Sequence, residues 1–256
     1  MQTVVSIYKP IGKTPLDAVE QFKSVNPQYS NKRIGYAGRL DPMAHGVLLL
    51  LVEPETKKRN HYQNLDKEYE FKLVVGIKTD THDAMGEIVN TSFSTTPKKK
   101  LNCILSNHKG LIEQTYPAYS SKTVDGKPLY WWTRNSKLNE ITIPTKKVEI
   151  LDIQIMKHYE KELKTLSNEV TQKVQSITGD FRQNKICAQW ETVAKENVHQ
   201  TVDIFDIRVH CSSGTYIRSL ADTIGEELGK GAIAYDIKRT RVGDYTLEDS
   251  LQPFEE

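Results

Sequence analysis

Val47-Leu48-Leu49-Leu50-Leu51-Val52 constrains the fold more than any other segment. Six apolar side chains in a row lack both the alternation of a half-exposed strand and the spacing of an amphipathic helix. Gly46 bounds the run on one side and Glu53-Pro54 on the other. The segment reads as a buried strand, so other elements have to cover it. The apolar stretch 46–52 is also the longest in the chain, far short of the roughly 18 residues that a membrane-spanning helix needs.

Strand-like and helix-like patterns alternate around it. Val4 to Tyr8 is a short strand leading to Lys9-Pro10 and the break at Gly12. Thr14-Pro15-Leu16-Asp17 has the signals of a helix start: a Thr N-cap, Pro at the first helical position and a carboxylate placed to cap back. Ala18, Val19, Phe22 and Val25 continue it as an apolar stripe. Residues 55–64 read as a basic helix, 69–75 as a strand, and 97–114 as a linker and a helix through Leu101, Ile104, Leu105 and Leu111. Asp125-Gly126 suits a hairpin turn. Residues 148–155 alternate as a strand. Residues 160–178 have helical propensity, ending at Gly179-Asp180. Phe205, Ile207 and Val209 mark one face of another strand. The clearest helix spans 215–228, with Ile217, Leu220, Ala221, Ile224 and Leu228 on one face and Gly229 as its cap. Interleaved strands and helices favour an α/β or α+β architecture.

The charge is uneven. Residues 1–150 hold 22 Lys/Arg against 15 Asp/Glu, and residues 151–256 hold 13 against 18. A basic first part favours a polyanionic partner, unless the lysines merely coat solvent-facing surface. Three widely separated cysteines, Cys103, Cys187 and Cys211, argue against a disulfide framework or thiolate metal site and for a reducing cytoplasm. The first residues carry no secretory signal. Phosphate-binding glycine loops, the dinucleotide fingerprint and the nucleophile elbow are all absent, so cofactor chemistry has no foothold.

Three segments can carry chemistry. Gly35 to Gly46 is a glycine-containing loop before the buried strand. Its Asp41 could be a nucleophile or general base held in a cleft, or a turn carboxylate capping backbone N–H groups beside Pro42. Thr79 to Glu87 contains Asp80, His82 and Asp83 at spacings unsuited to calcium or zinc and reads as a solvated turn. Arg218, in the first turn of the clearest helix, either finds a carboxylate or phosphate at the edge of the buried surface or snorkels to water.

Five blocks occur in order: Tyr8-Lys9-Pro10-Ile11-Gly12-Lys13-Thr14; Gly38 through Leu48; Lys67-Glu68-Tyr69 with Gly76 through Thr81; Tyr119-Ser120-Ser121-Lys122 with Asp125 through Tyr130; and Cys211 through Arg218, continuing to Leu228-Gly229. Together they resemble one family, the TruB-type tRNA pseudouridine synthases. The resemblance implies isomerisation of a uridine in the tRNA T-loop, position 55, to pseudouridine without metal or organic cofactor. It implies an α+β pseudouridine-synthase fold: a mixed, largely antiparallel sheet flanked by helices, with a central active-site cleft. It assigns catalytic roles to Asp41, Tyr69 and Arg218, and contacts with the tRNA T-arm stem-loop to Tyr36, Arg39 and Lys9. Tyr69 would stack on a flipped-out uracil, and Arg218 would hold Asp41 ionised.

The chain departs from the family pattern in places. Tyr36 stands where members usually carry His, and an aromatic there can still stack. Arg39 stands where many have Thr. After Gly243-Asp244-Tyr245-Thr246-Leu247 only nine residues follow, so a single catalytic domain over 1–256, without a C-terminal PUA-like domain, is expected. About forty residues, near 159–202, match none of these blocks; they are expected to be either an added RNA-contacting element or a helical insertion packed on the core. The expected protein is a cytoplasmic monomer that acts on tRNA and contacts no membrane. The competing reading is a non-catalytic RNA-binding or tRNA-folding module with the same fold.

Overall fold

The computed structural model describes residues 2–254. In chain order the helices are α1 (Pro15–Val25), α2 (Arg59–Asn64), α3 (Lys98–Asn107), α4 (Leu129–Arg134), α5 (Leu163–Gln175), α6 (Gln183–Glu196) and α7 (Ile217–Leu228). The first strands are β1 (Val4–Lys9), β2 (Ile34–Ala37), β3 (Ala44–Val52), β4 (Lys67–Val75), β5 (Ile77–Thr79) and β6 (Ile88–Thr91). The rest are β7 (Gly110–Thr115), β8 (Thr123–Val124), β9 (Lys127–Pro128), β10 (Thr145–Glu162), β11 (Thr201–Cys211), β12 (Ala232–Val242) and β13 (Tyr245–Thr246). One sheet runs in the order β1-β3-β12-β4-β11-β10-β7, with β2 beside β3 and β13 beside β12. Its pairings are antiparallel except for β3 with β12. This is the mixed, largely antiparallel α+β architecture that the family resemblance implied.

The run 47–52 is apolar throughout because β3 is covered on both faces. Leu48, Leu50 and Val52 pack with Ala18, Val19 and Phe22 of α1. Val47, Leu49 and Leu51 point the other way, toward Ala37 and Val242, with Tyr62 and Leu65 packed alongside. Where β3 meets β12, Gly46 lies opposite Arg239 with φ +105°, and a Cβ there would fall 2.2 Å from the Arg239 carbonyl oxygen. Only glycine lets the two backbones come this close.

Two helical layers close the central sheet. On one face Phe71, Leu73, Phe205, Ile207 and Val209 pack against α3 and the apolar stripe of α7. On the other, Val74, Ile204, Ile233 and Tyr235 meet Leu166, Val170 and Val174 of α5 and Ile186 and Trp190 of α6. Residues 159–202, expected to be either an added RNA-contacting element or a helical insertion on the core, thus supply a core layer: Trp190 is fully buried, and removing α5 and α6 would expose one face of the sheet.

Three local expectations shift. The helix through Leu101 stops at Asn107, and Gly110 at φ +93° turns the chain into β7, leaving Leu111 on an exposed strand position. The helix expected from residue 160 starts at Leu163, because β10 continues its ladder with β11 to Glu162. Long-range strand pairing there outweighs local helical propensity. Residues 55–64 begin as a 3-10 turn over Glu55–Lys58 before α2. By contrast the α1 capping box forms as read: Thr14 Oγ1 accepts the Asp17 N–H, and the Asp17 carboxylate accepts the Thr14 N–H.

Candidate active site

The loop between β2 and β3 forms one wall of a cleft of about 1060 Å³. Gly38, at φ +74°, starts the turn, and the Asp41 carbonyl accepts the Ala44 N–H at 3.0 Å as β3 begins. The Pro42 carbonyl accepts the Gly12 N–H at 2.9 Å, tying this loop to the one after β1. The Asp41 carboxylate does not cap backbone groups. Its Oδ2 accepts the Arg218 Nε–H at 2.7 Å, with the Asp41 side chain 37% exposed and that of Arg218 4%. The carboxylate is open to a substrate while its cationic partner is not.

Arg218 sits in the first turn of α7 and does not snorkel. Besides Asp41, its Nη1 donates to the Thr81 carbonyl at 2.9 Å and its Nη2 to the Tyr119 carbonyl at 3.4 Å; Asp83 Oδ2 lies 3.5 Å from Nε. The burial that would strip its proton is outweighed by the carboxylates of Asp41 and Asp83, which hold it even more firmly protonated than an ordinary Arg. The expected solvated turn at 79–87 is therefore a correction: Thr79, Thr81 and Asp83 are buried. Asp83 accepts the Met85 N–H at 2.9 Å and the Thr81 hydroxyl. Burial pushes its carboxyl above the usual range, against the pull of Arg218. Gly86 permits this tight loop, since a Cβ there would sit 2.5 Å from Thr81 Oγ1. Alternating small and acidic residues look polar and solvated in sequence, so only the fold reveals their burial.

Tyr69, on β4, lines the cleft and is largely buried beside Leu40, Ala44 and Phe71. Burial raises the pKa of its phenol, against the opposing pull of Arg239, so the ring carries a neutral O–H at physiological pH. Arg239 is itself buried, its Nε donating to the Val47 carbonyl at 2.7 Å and its Nη2 to the Gly38 carbonyl at 3.0 Å. It thereby braces both ends of the Asp41 loop, a role the sequence did not signal.

The three expected RNA contacts separate. Tyr36 and Arg39 line the cleft, Tyr36 half-buried and Arg39 exposed. Lys9 is no surface contact; this is a correction. It is fully buried, and its Nζ donates to the carbonyls of Pro10 and Lys13, both at 2.7 Å, closing the loop after β1. Burial, reinforced by Arg239 and opposed by Asp41, lowers its pKa to about 7. Among the described residues no three His, Cys, Asp or Glu side chains gather as metal ligands, and no helix is long and apolar enough to cross a membrane.

The TruB family pseudouridylate synthase (N terminal domain) profile matches residues 27–181, more than half of the chain. The chain belongs to this family. The tRNA pseudouridine synthase B of Thermosipho melanesiensis is 31% identical over 255 residues, covering 100% of this chain and 68% of that protein. The protein of the same name from Bacillus cytotoxicus is 32% identical, covering 100% of this chain and 70% of that protein. A Cbf5–Nop10–Gar1 complex shares the fold with TM-score 0.57 at 20% identity, over 95% of this chain and 49% of that one. The chain thus spans about two thirds of the similar synthases and about half of the chain in that complex. Family membership makes it an enzyme of the pseudouridine synthase kind, and the non-catalytic reading is not favoured.

Proposed function

We propose that this enzyme isomerises a uridine of the tRNA T-loop, position 55, to pseudouridine, with Asp41 acting on the flipped-out nucleotide. The observation that carries the reading is the open Asp41 carboxylate, held at 2.7 Å by a buried Arg218 in a cleft that also contains Tyr69. A target base inside a folded loop has to be extruded to reach such a group. Tyr69 offers a flat ring against the uracil and a neutral hydroxyl for proton transfer. Arg218 keeps the Asp41 carboxylate aimed. The N1–C1′ bond breaks, the uracil turns, C5 bonds to C1′, and the hydrogen on C5 leaves as a proton while N1 gains one. The names of the similar synthases support tRNA as substrate. Three free cysteines fit a cytoplasmic setting, and the proposed protein works as a monomer. Incubating purified protein with an unmodified tRNA transcript and mapping pseudouridine by chemical sequencing tests the assignment. A modification at another position, or none, overturns it.

Tyr36 is the rim residue with the clearest test. The Arg59 guanidinium lies 5.5 Å from its ring centroid, and its hydroxyl makes no hydrogen bond among the described residues. The proposed role is stacking by the ring, since no protein contact among the described residues depends on the hydroxyl. Tyr36→Phe should match wild type, whereas Tyr36→Ala should weaken turnover by about 1–3 kcal/mol, the size of a lost stacking contact. Equal damage by both, measured as kcat/KM, would assign the work to the hydroxyl.

A further inference from the structure

Arg182 breaks a local rule. It precedes α6 at the N-cap with a left-handed backbone, φ +63°, where Ser, Asp, Asn or Gly would be usual, and its side chain caps nothing. A strained backbone persists where surrounding contacts over-determine it, and such residues cluster at functional sites. The contacts here are specific. Nη1 donates to Asp80 Oδ2 at 2.7 Å and to Glu87 Oε1 at 2.8 Å, and Nη2 to Asp80 Oδ1 at 3.3 Å. The Arg182 guanidinium carbon lies 4.7 Å from the Tyr119 ring centroid.

Those partners lead directly to the catalytic pair. Asp80 precedes Thr81, whose carbonyl accepts Arg218 Nη1, and Tyr119 itself supplies the carbonyl that accepts Nη2. Arg182 thus grips both segments whose carbonyls hold the Arg218 guanidinium. The next two turns of α6 strengthen the grip: Lys185 Nζ lies 2.6 Å from Glu87 Oε2, and Gln189 Oε1 accepts the Ile88 N–H at 2.9 Å. With its charge answered by two carboxylates, Arg182 is poorly placed to be mainly a phosphate ligand.

We propose that Arg182 is a positioning residue for the isomerisation, a clamp at the start of α6 that fixes the Thr81 and Tyr119 carbonyls and so orients Arg218 on Asp41. The proposal rests on the isomerase reading above, so the test includes a measurement that does not depend on activity. The full chain is assayed with a tRNA transcript labelled with tritium at uracil C5, alongside Arg182→Gly, which relieves the left-handed backbone, and Arg182→Lys, which keeps the charge. Arg182→Gly should slow single-turnover tritium release at saturating tRNA by about tenfold or more, as expected for a misplaced reacting group. Although Arg182 lines the cleft, its guanidinium is held by Asp80 and Glu87, so the Kd for tRNA should stay within about threefold. Arg182→Lys should recover part of the rate. Combining Arg182→Gly with Asp80→Asn should add little to either alone, the non-additivity of groups acting through one network. Independently of turnover, the Arg218 Nε–H resonance should be protected from solvent exchange in the unaltered chain and exchange faster in Arg182→Gly. An unchanged Arg218 resonance overturns the clamp even if the chain makes no pseudouridine. An unchanged single-turnover rate also overturns it, whether the loss then appears in tRNA affinity (a binding role) or only in melting temperature (a purely structural one).

Discussion

Asp41→Asn should melt close to wild type and still bind tRNA, while tritium release from uracil-C5-labelled tRNA falls below detection. The geometry separates the two effects. Asp41 Oδ2 accepts one hydrogen bond, from Arg218 Nε, and an Asn carbonyl can accept the same bond. Arg218 would keep Asp83 as its carboxylate partner and the Thr81 and Tyr119 carbonyls as acceptors, so no buried cation is stranded. The stability cost should stay near 1 kcal/mol, the net worth of a single hydrogen bond. Chemistry is another matter. An amide is neither nucleophile nor base at neutral pH, and losing such a group typically costs about 10⁴-fold or more. Because C5 must exchange its hydrogen for the sugar carbon, tritium release reports bond formation directly. Robust release by the Asn variant would remove Asp41 from the mechanism.

Arg218→Met should have the largest combined effect, abolishing turnover and destabilising the protein. Met fills similar volume but leaves Asp83, buried beneath it, without its cation. Breaking a buried pair from one side typically costs about 3–5 kcal/mol. The loss should depend on pH with a definite sign. Burial already raises the Asp83 pKa in the folded protein, with Arg218 pulling it back. Without Arg218 the folded pKa climbs further, so the native state binds more protons than the unfolded chain over a wider range. Stability then falls as pH rises through that window. Urea midpoints measured from about pH 4 to 8 should therefore diverge from wild type as pH increases, with the gap smallest in acid. A constant gap across that range would mean that Asp83 does not depend on Arg218. Arg218→Lys is the informative control: its charge should restore part of the stability, but one ammonium cannot match the forked geometry shared by Asp41, Thr81 and Tyr119, and turnover should stay low.

Some elements that local pattern could speak for behaved as read. The continuous apolar run became the doubly covered strand β3, because a strand with no polar face has to be packed on both sides. The α7 stripe and the Thr14 capping box formed because their information lies within a few residues of chain. The ordered blocks shared with the family brought out Asp41, Tyr69 and Arg218 as candidates, and all three line one cleft. Tertiary structure decided everything that depends on a distant partner. Arg218 meets Asp41 across 177 residues of sequence, and that meeting turns a helix-edge arginine from a snorkelling side chain into a buried cation. Lys9 reads as a surface charge until the chain folds over it and its own loop supplies carbonyls for its ammonium. The acidic turn at 80–87 reads as solvated until α6, 95 to 102 residues further on, brings Arg182 to its carboxylates. A sequence states which face of an element is apolar and which side chains can carry charge. Which charges are buried, and therefore which must be paired, follows from the packing of elements far apart in the chain, since desolvation and Coulomb attraction act through space and not along the backbone.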